Sequence, residues 1–197
     1  MSADQRAEIA ALLRGEAGRL LSETGLYHLL QSRFGEAVVT GSAGYDLMVW
    51  RHIDMHLPVE AEAWADWAGL GGEIAALFAS AGLTLHKAHY LNDYVDPHPL
   101  GAGLYWGIDF RDPAGNSWKR DIWGWDPFDF AVRQARDDSL RIDLSHADRD
   151  LILRLKHEAR AHEGYYGTIV SSFDIYQFAI CGAGDTLEEL EAWKQTR

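Results

Sequence analysis

His52, Asp54 and His56 occupy alternate positions in the segment His52-Ile53-Asp54-Met55-His56-Leu57. Residues two apart on a strand point to one face. The spacing therefore predicts a polar, metal-competent row backed by apolar Ile53, Met55 and Leu57. Three successive same-face side chains span about 13 Å, so one ion does not reach both outer histidines without a bulge. Upstream, the apolar run Ala37-Val38-Val39-Thr40 delivers Gly41-Ser42, with nine residues between Ser42 and His52. A strand that ends in Gly-Ser before a short helix exposes backbone N–H groups and a hydroxyl, which suit phosphate. The alternative is a plain turn with a serine cap. Further along, the segments Trp106-Gly107-Ile108-Asp109-Phe110 and Trp118-Lys119-Arg120-Asp121-Ile122-Trp123 each set a carboxylate among large apolar residues. Lys119 and Arg120 read as exposed strand charges, or as reach toward a phosphate.

Gly41-Ser42, a spacer and the alternation His52-Ile53-Asp54 resemble the signature of the polymerase-beta-like nucleotidyltransferase superfamily, small-molecule type. That signature has an apolar residue, Gly, then Gly or Ser, a spacer, and two acidic residues separated by one apolar residue. Thr40 stands where the apolar residue is preferred. His52 stands where the first metal-binding carboxylate belongs.

The resemblance implies a divalent-ion-dependent transfer of a nucleoside monophosphate from a nucleoside triphosphate, with ATP the expected one, to a small-molecule acceptor. It implies that Asp54 bridges two ions, Mg²⁺ or Mn²⁺, and that a third carboxylate comes from a later strand of the same sheet. Asp121 is the first choice for that carboxylate and Asp109 the second. It further implies that Gly41 and Ser42 hold the outer phosphates. His52 is retained among the catalytic and metal-binding residues. Nitrogen is a poor Mg²⁺ ligand, whereas softer ions accept it. Three outcomes stay open: a softer ion, a substitute carboxylate from Asp46 or Asp109, or a degenerate relative that acts as a nucleotide-binding or protein-interaction module.

A net charge of −12 over 197 residues argues against an extended nucleic-acid grip, which usually shows a basic face, although a local basic patch escapes such a sum. The chain is 47% hydrophobic, with eight Trp, so it is globular. A single cysteine, Cys181, forms no internal disulfide and reads as a small buried hydrophobe. Without a signal peptide or a long apolar run, the expectation is a cytoplasmic protein off the membrane.

These residues must be positioned by an α+β fold: a small mixed sheet with flanking helices, followed by a C-terminal helical bundle. Helices are expected over residues 3–22 and 26–34, the second closed by Gly35. Glu36 to Thr40 is a strand. Glu60 to Ser80 is helical, weakened or split by Gly69, Gly71 and Gly72. Strands are expected over Leu83–Leu91, Leu104–Arg111 and Ser117–Trp125, with a loop over Asn92–Gly103 and a hairpin turn over Asp112–Asn116. Helices follow at Phe128–Asp138, Asp148–His162, Thr168–Cys181 and Leu187–Lys194. Ile169, Phe173, Tyr176 and Ile180 form the apolar stripe of the third, and Thr186 with Glu189 caps the last. Residues 1–126 form the nucleotidyltransferase-like domain and 127–197 a helical region packed on it.

Overall fold

The computed structural model describes residues 1–96 and 101–196. Among them, five strands form one mixed sheet in the order β1-β2-β5-β4-β3. These are β1 (Val38–Thr40), β2 (His52–Pro58), β3 (Thr84–Asn92), β4 (Gly103–Arg111) and β5 (Ser117–Trp125). Of the loop expected over 92–103, residues 97–100 lie outside the described residues.

β2 pairs with β1 antiparallel and with β5 parallel. The β4–β5 and β3–β4 pairs are antiparallel. A parallel neighbour requires a crossover. Here α4 (Trp64–Ser80), β3 and β4 intervene before β5 inserts beside β2. Ile53, Met55 and Leu57 are fully buried on one face of β2, while His52, Asp54 and His56 stay half-buried on the other. Burial of each such apolar side chain is worth roughly 1.5–3 kcal/mol and pins the register, because a one-residue slip would exchange the faces.

Two cores flank this arrangement. The first lies under the sheet, where α1 (Ala3–Glu23), α2 (Leu26–Phe34) and α4 pack Leu13, Leu30, Trp67 and Phe78 against Ile53, Ile108 and Ile122. The second gathers Ile152, Leu155, Ile175, Phe178 and Leu190 with Ala10 and Leu47. Its helices are α6 (Arg149–Ala161), α7 (Ser172–Ile180) and α8 (Leu187–Lys194), with α5 (Pro127–His146) alongside. Arg6 of α1 clamps Asp150 of α6 through bonds of 2.8 and 2.6 Å.

Several expectations change. α4 runs unbroken through its glycines, and Gly71 lies too close to the Trp106 ring for any side chain. α5 extends to His146. α7 starts only at Ser172, capped by Ser171, and its buried stripe is Ile175, Tyr176, Phe178 and Ala179. Ile169 and Phe173 are exposed. Cys181 is exposed because it is the C-cap beyond that stripe. Arg120 is fully buried, since it shares the core face of β5 with Trp118 and Ile122. The Thr186–Glu189 capping box is present.

Candidate functional site

β1 turns into a single helical turn, α3 (Gly41–Gly44), directly beside β2. Gly41 adopts φ +60°, the left-handed region that glycine enters without steric cost. A Cβ there would collide with the Asp54 carboxylate. The Gly-Ser turn and the acidic row therefore meet because position 41 has no side chain. Thr40 sits opposite Asp54 in the β1–β2 register.

The parallel register sets His52 opposite Lys119 and Asp54 opposite Asp121. One ligand atom each from His52, Asp54 and Asp121 falls within 4.8 Å of the others. His52 Nε2 lies 2.9 Å from Asp121 Oδ2 and 3.4 Å from Asp54 Oδ1. Lys119 Nζ donates to the same Asp121 Oδ2 at 2.9 Å, and the Tyr105 hydroxyl donates to Oδ1 at 2.6 Å. Gly107 pairs with Asp121 on β4, and a side chain there would run into the Tyr105 hydroxyl and the His89 ring.

Burial alone would raise the Asp121 carboxyl, but the bonds and charge from His52, with bonds from Tyr105 and Lys119, hold it at about 2. Asp54 is pushed up, mainly by burial, against the pull of His52. For His52, burial works downward, yet the bond to Asp121 and the two carboxylate charges leave it raised. His56 lies beyond this group and burial lowers it to about 4. Its ring meets Trp125 edge-on at 5.8 Å, and it stands apart from the three clustered ligands.

Ser42 is not a free hydroxyl. Lys156 of α6 donates to Ser42 Oγ at 2.6 Å, to the Leu47 carbonyl at 2.6 Å and to the Tyr176 hydroxyl at 3.1 Å. Those three acceptors match the three hydrogens of an ammonium group. Lys156 is fully buried, and burial lowers it to about 7 while the charge of Asp54 works the other way. From α5, Asp137 accepts from Thr40 Oγ1 at 2.5 Å and from the Tyr45 hydroxyl at 2.8 Å, tying the helix to the Gly-Ser turn.

Between sheet and helices lies a cleft of about 630 Å³. Its floor is Thr40, Gly41, Ser42, His52, Asp54 and His56. Its far wall is Arg133, Arg136 and Asp137 of α5 with Phe173, Tyr176 and Gln177 of α7. Trp50 and Tyr166 meet edge-to-face at 4.5 Å at its margin.

Of the two candidate later carboxylates, Asp121 joins the cluster. Asp109 pairs with Lys119 in register and lines a separate cavity behind Trp50. Asp46 lies 3.3 Å from Arg14 and 3.4 Å from Arg149. Neither Asp109 nor Asp46 belongs to the three-residue cluster. Lys156 and Tyr105 did not stand out in the sequence, and Tyr176 did so only as part of an apolar helical stripe. The signal for Lys156 was a lone cation inside the apolar stripe Ile152, Leu155, Ala159 of an amphipathic helix. Tyr105 and Tyr176 had no comparable signal.

The donor set tests what this site holds. One nitrogen and two carboxylates within 4.8 Å fit a borderline divalent ion such as Zn²⁺, or Mn²⁺, which tolerates a nitrogen ligand, better than Mg²⁺.

No family model matches the sequence, and no curated protein does. Solved structures do match. A chain of the GLD-2/RNP-8 complex is 12% identical with a TM-score of 0.51, over 91% of this chain and 64% of its own length. The Cid1 poly(U) polymerase, in a structure bound to MgATP, is 13% identical with a TM-score of 0.51, over 89% of this chain and 55% of its own. The likeness is one of fold: this chain has the nucleotidyltransferase fold. It spans less than two thirds of either neighbour. No helix among the described residues is long and apolar enough to cross a membrane.

Proposed function

We propose that this protein transfers a nucleoside monophosphate from a nucleoside triphosphate, ATP being the expected one, to a hydroxyl on a small acceptor. The O–P bond to the acceptor forms at the alpha phosphorus, the bond to the leaving pyrophosphate breaks, and the hydroxyl proton is released. The observation that carries the reading is the convergence of His52, Asp54 and Asp121 beside Gly41-Ser42.

His52, Asp54 and Asp121 are the residues that would hold a divalent ion, which supplies charge neutralisation at the reacting phosphate. Gly41 and Ser42, which line the cleft, bind the outer phosphates, and Lys156, fully buried against Ser42, fixes the serine hydroxyl and lends positive charge from beneath it. Tyr105 and Lys119 orient Asp121 toward the acceptor side. Arg133 and Arg136 add positive charge to the opposite wall of the cleft. Phe173, exposed on α7 and lining the cleft, offers a flat apolar face to a base or acceptor ring. The small acceptor is favoured by the net charge of −12, which does not suit an extended polyanion.

A thermal-shift screen of the four nucleoside triphosphates with Mg²⁺, Mn²⁺ or no metal tests this, with Asp54→Ala as control. A ligand at about 100 times its dissociation constant adds ~2.7 kcal/mol. Metal-dependent stabilisation that vanishes in Asp54→Ala is expected. No shift with any pair would remove the transferase reading and the nucleotide-binding module alike, and leave a protein-interaction module.

A further inference from the structure

Asp121 is more fully occupied than a carboxylate awaiting a metal ion would be. Its Oδ2 receives Lys119 Nζ and His52 Nε2, both at 2.9 Å, and its Oδ1 receives the Tyr105 hydroxyl at 2.6 Å. Lys119 is delivered by the same parallel register that aligns Asp54 with Asp121, so its position is a property of the sheet. Its side chain is half exposed, whereas that of Asp121 is 12% exposed. The ammonium thus reaches inward from the rim to a buried oxygen.

The carboxylates of this cluster are two, Asp54 and Asp121, and the imidazole of His52 adds no negative charge. A triphosphate offsets the charge of one ion or of two, so charge does not set the count; the occupied oxygens of Asp121 do, since an ion there would have to displace the Lys119 ammonium. Asp54 is the carboxylate left available: it pairs with His52 at 3.4 Å, and it opens on the cleft beside Gly41.

We propose that Lys119 is a built-in second cation, held on Asp121, so that the site takes up one divalent ion with its nucleotide rather than two. The inference rests on the nucleotidyl-transfer reading. Lys119 is on this account a positioning residue: it fixes Asp121 and supplies fixed charge on the acceptor side, while the exchangeable ion sits toward Asp54 and the phosphates.

Equilibrium dialysis against Mn²⁺ and α,β-methylene-ATP, whose alpha–beta linkage is not cleaved, counts bound Mn²⁺ per bound nucleotide. The expected ratio is one for the wild type and for Lys119→Arg, and two for Lys119→Met, with melting curves establishing that each variant is folded. A ratio of two in the wild type, or of one in folded Lys119→Met, would overturn the proposal while leaving the transferase reading intact. Absence of bound nucleotide in the wild type would instead overturn that reading and this inference with it.

Discussion

The Lys156 ammonium lies 2.6 Å from Ser42 Oγ across 114 residues of sequence. Burial brings its pKa to about 7, so it is charged below that value and neutral above. A cation in this place attracts phosphate. Nucleotide affinity should therefore fall by about tenfold as the pH rises from 6 to 8.5, the scale of one hydrogen bond to a charged group. Lys156→Met should bind weakly with no such slope. Calorimetric titration at several pH values checks both.

The same lysine sets a stability trend. Its folded value of about 7 lies below the ordinary 10.5, so the unfolded chain holds more protons between those limits. Stability from this group is full above 10.5 and is lost as the pH falls toward 7. Lys156→Met should gain most in melting temperature over the wild type at pH 6, and the gain should shrink as the pH rises.

His52→Asp would place a third carboxylate within reach of Asp54 and Asp121. It should shift metal preference from Mn²⁺ toward Mg²⁺, since hard ions favour oxygen. Nucleotide-induced thermal shifts with each metal would show a larger gain with Mg²⁺ than with Mn²⁺. Equal gains would mean that the imidazole is not a ligand.

Gly41→Ala should cost on the order of 1–3 kcal/mol, because alanine is strained at φ +60° and its Cβ meets the Asp54 carboxylate. Denaturant unfolding measures the cost. Nucleotide binding should fall further than stability does, because Asp54 itself must move.

Arg120 carries the opposite expectation. Its guanidinium packs 5.7 Å from the ring centres of Phe78 and Phe110, and its nitrogens find no hydrogen-bond acceptor among the described residues. Burial lowers it to about 10. Arg120→Met exchanges a buried cation for an apolar chain of similar length. It should leave stability unchanged or raise it, by up to about 4 kcal/mol.

The sheet and much of the site were readable because alternation is a short-range signal. His52-Ile53-Asp54 announced its two faces, and Ser117–Trp125 was bounded by turn residues. The same alternation placed Arg120 with Trp118 and Ile122, yet its charge drew it to the surface in the reading. Phe173 and Ile169 matched a helical stripe, but the chain enters α7 only at Ser172, so the rotation of that stripe was misjudged. Lys156 was not legible as a partner of Ser42. Nothing local to either residue records how α6 packs on the Gly-Ser turn; that distance follows from the second core.

The parallel pairing of β2 with β5 also fixes when the cluster comes into being. The β4–β5 hairpin closes over a short turn, whereas His52 and Asp121 meet across 69 residues. Closing a longer loop costs more entropy, and distant pairings form later. A growing chain can hold its hairpin early, but the His52–Asp54–Asp121 group does not exist until the last strand of the sheet has been made. Partial opening that frees β2 dismantles the group while most of the sheet survives. Occupancy of the cluster would therefore report a completed sheet, and a nucleotide that binds there would act as a clasp on its β2–β5 pair.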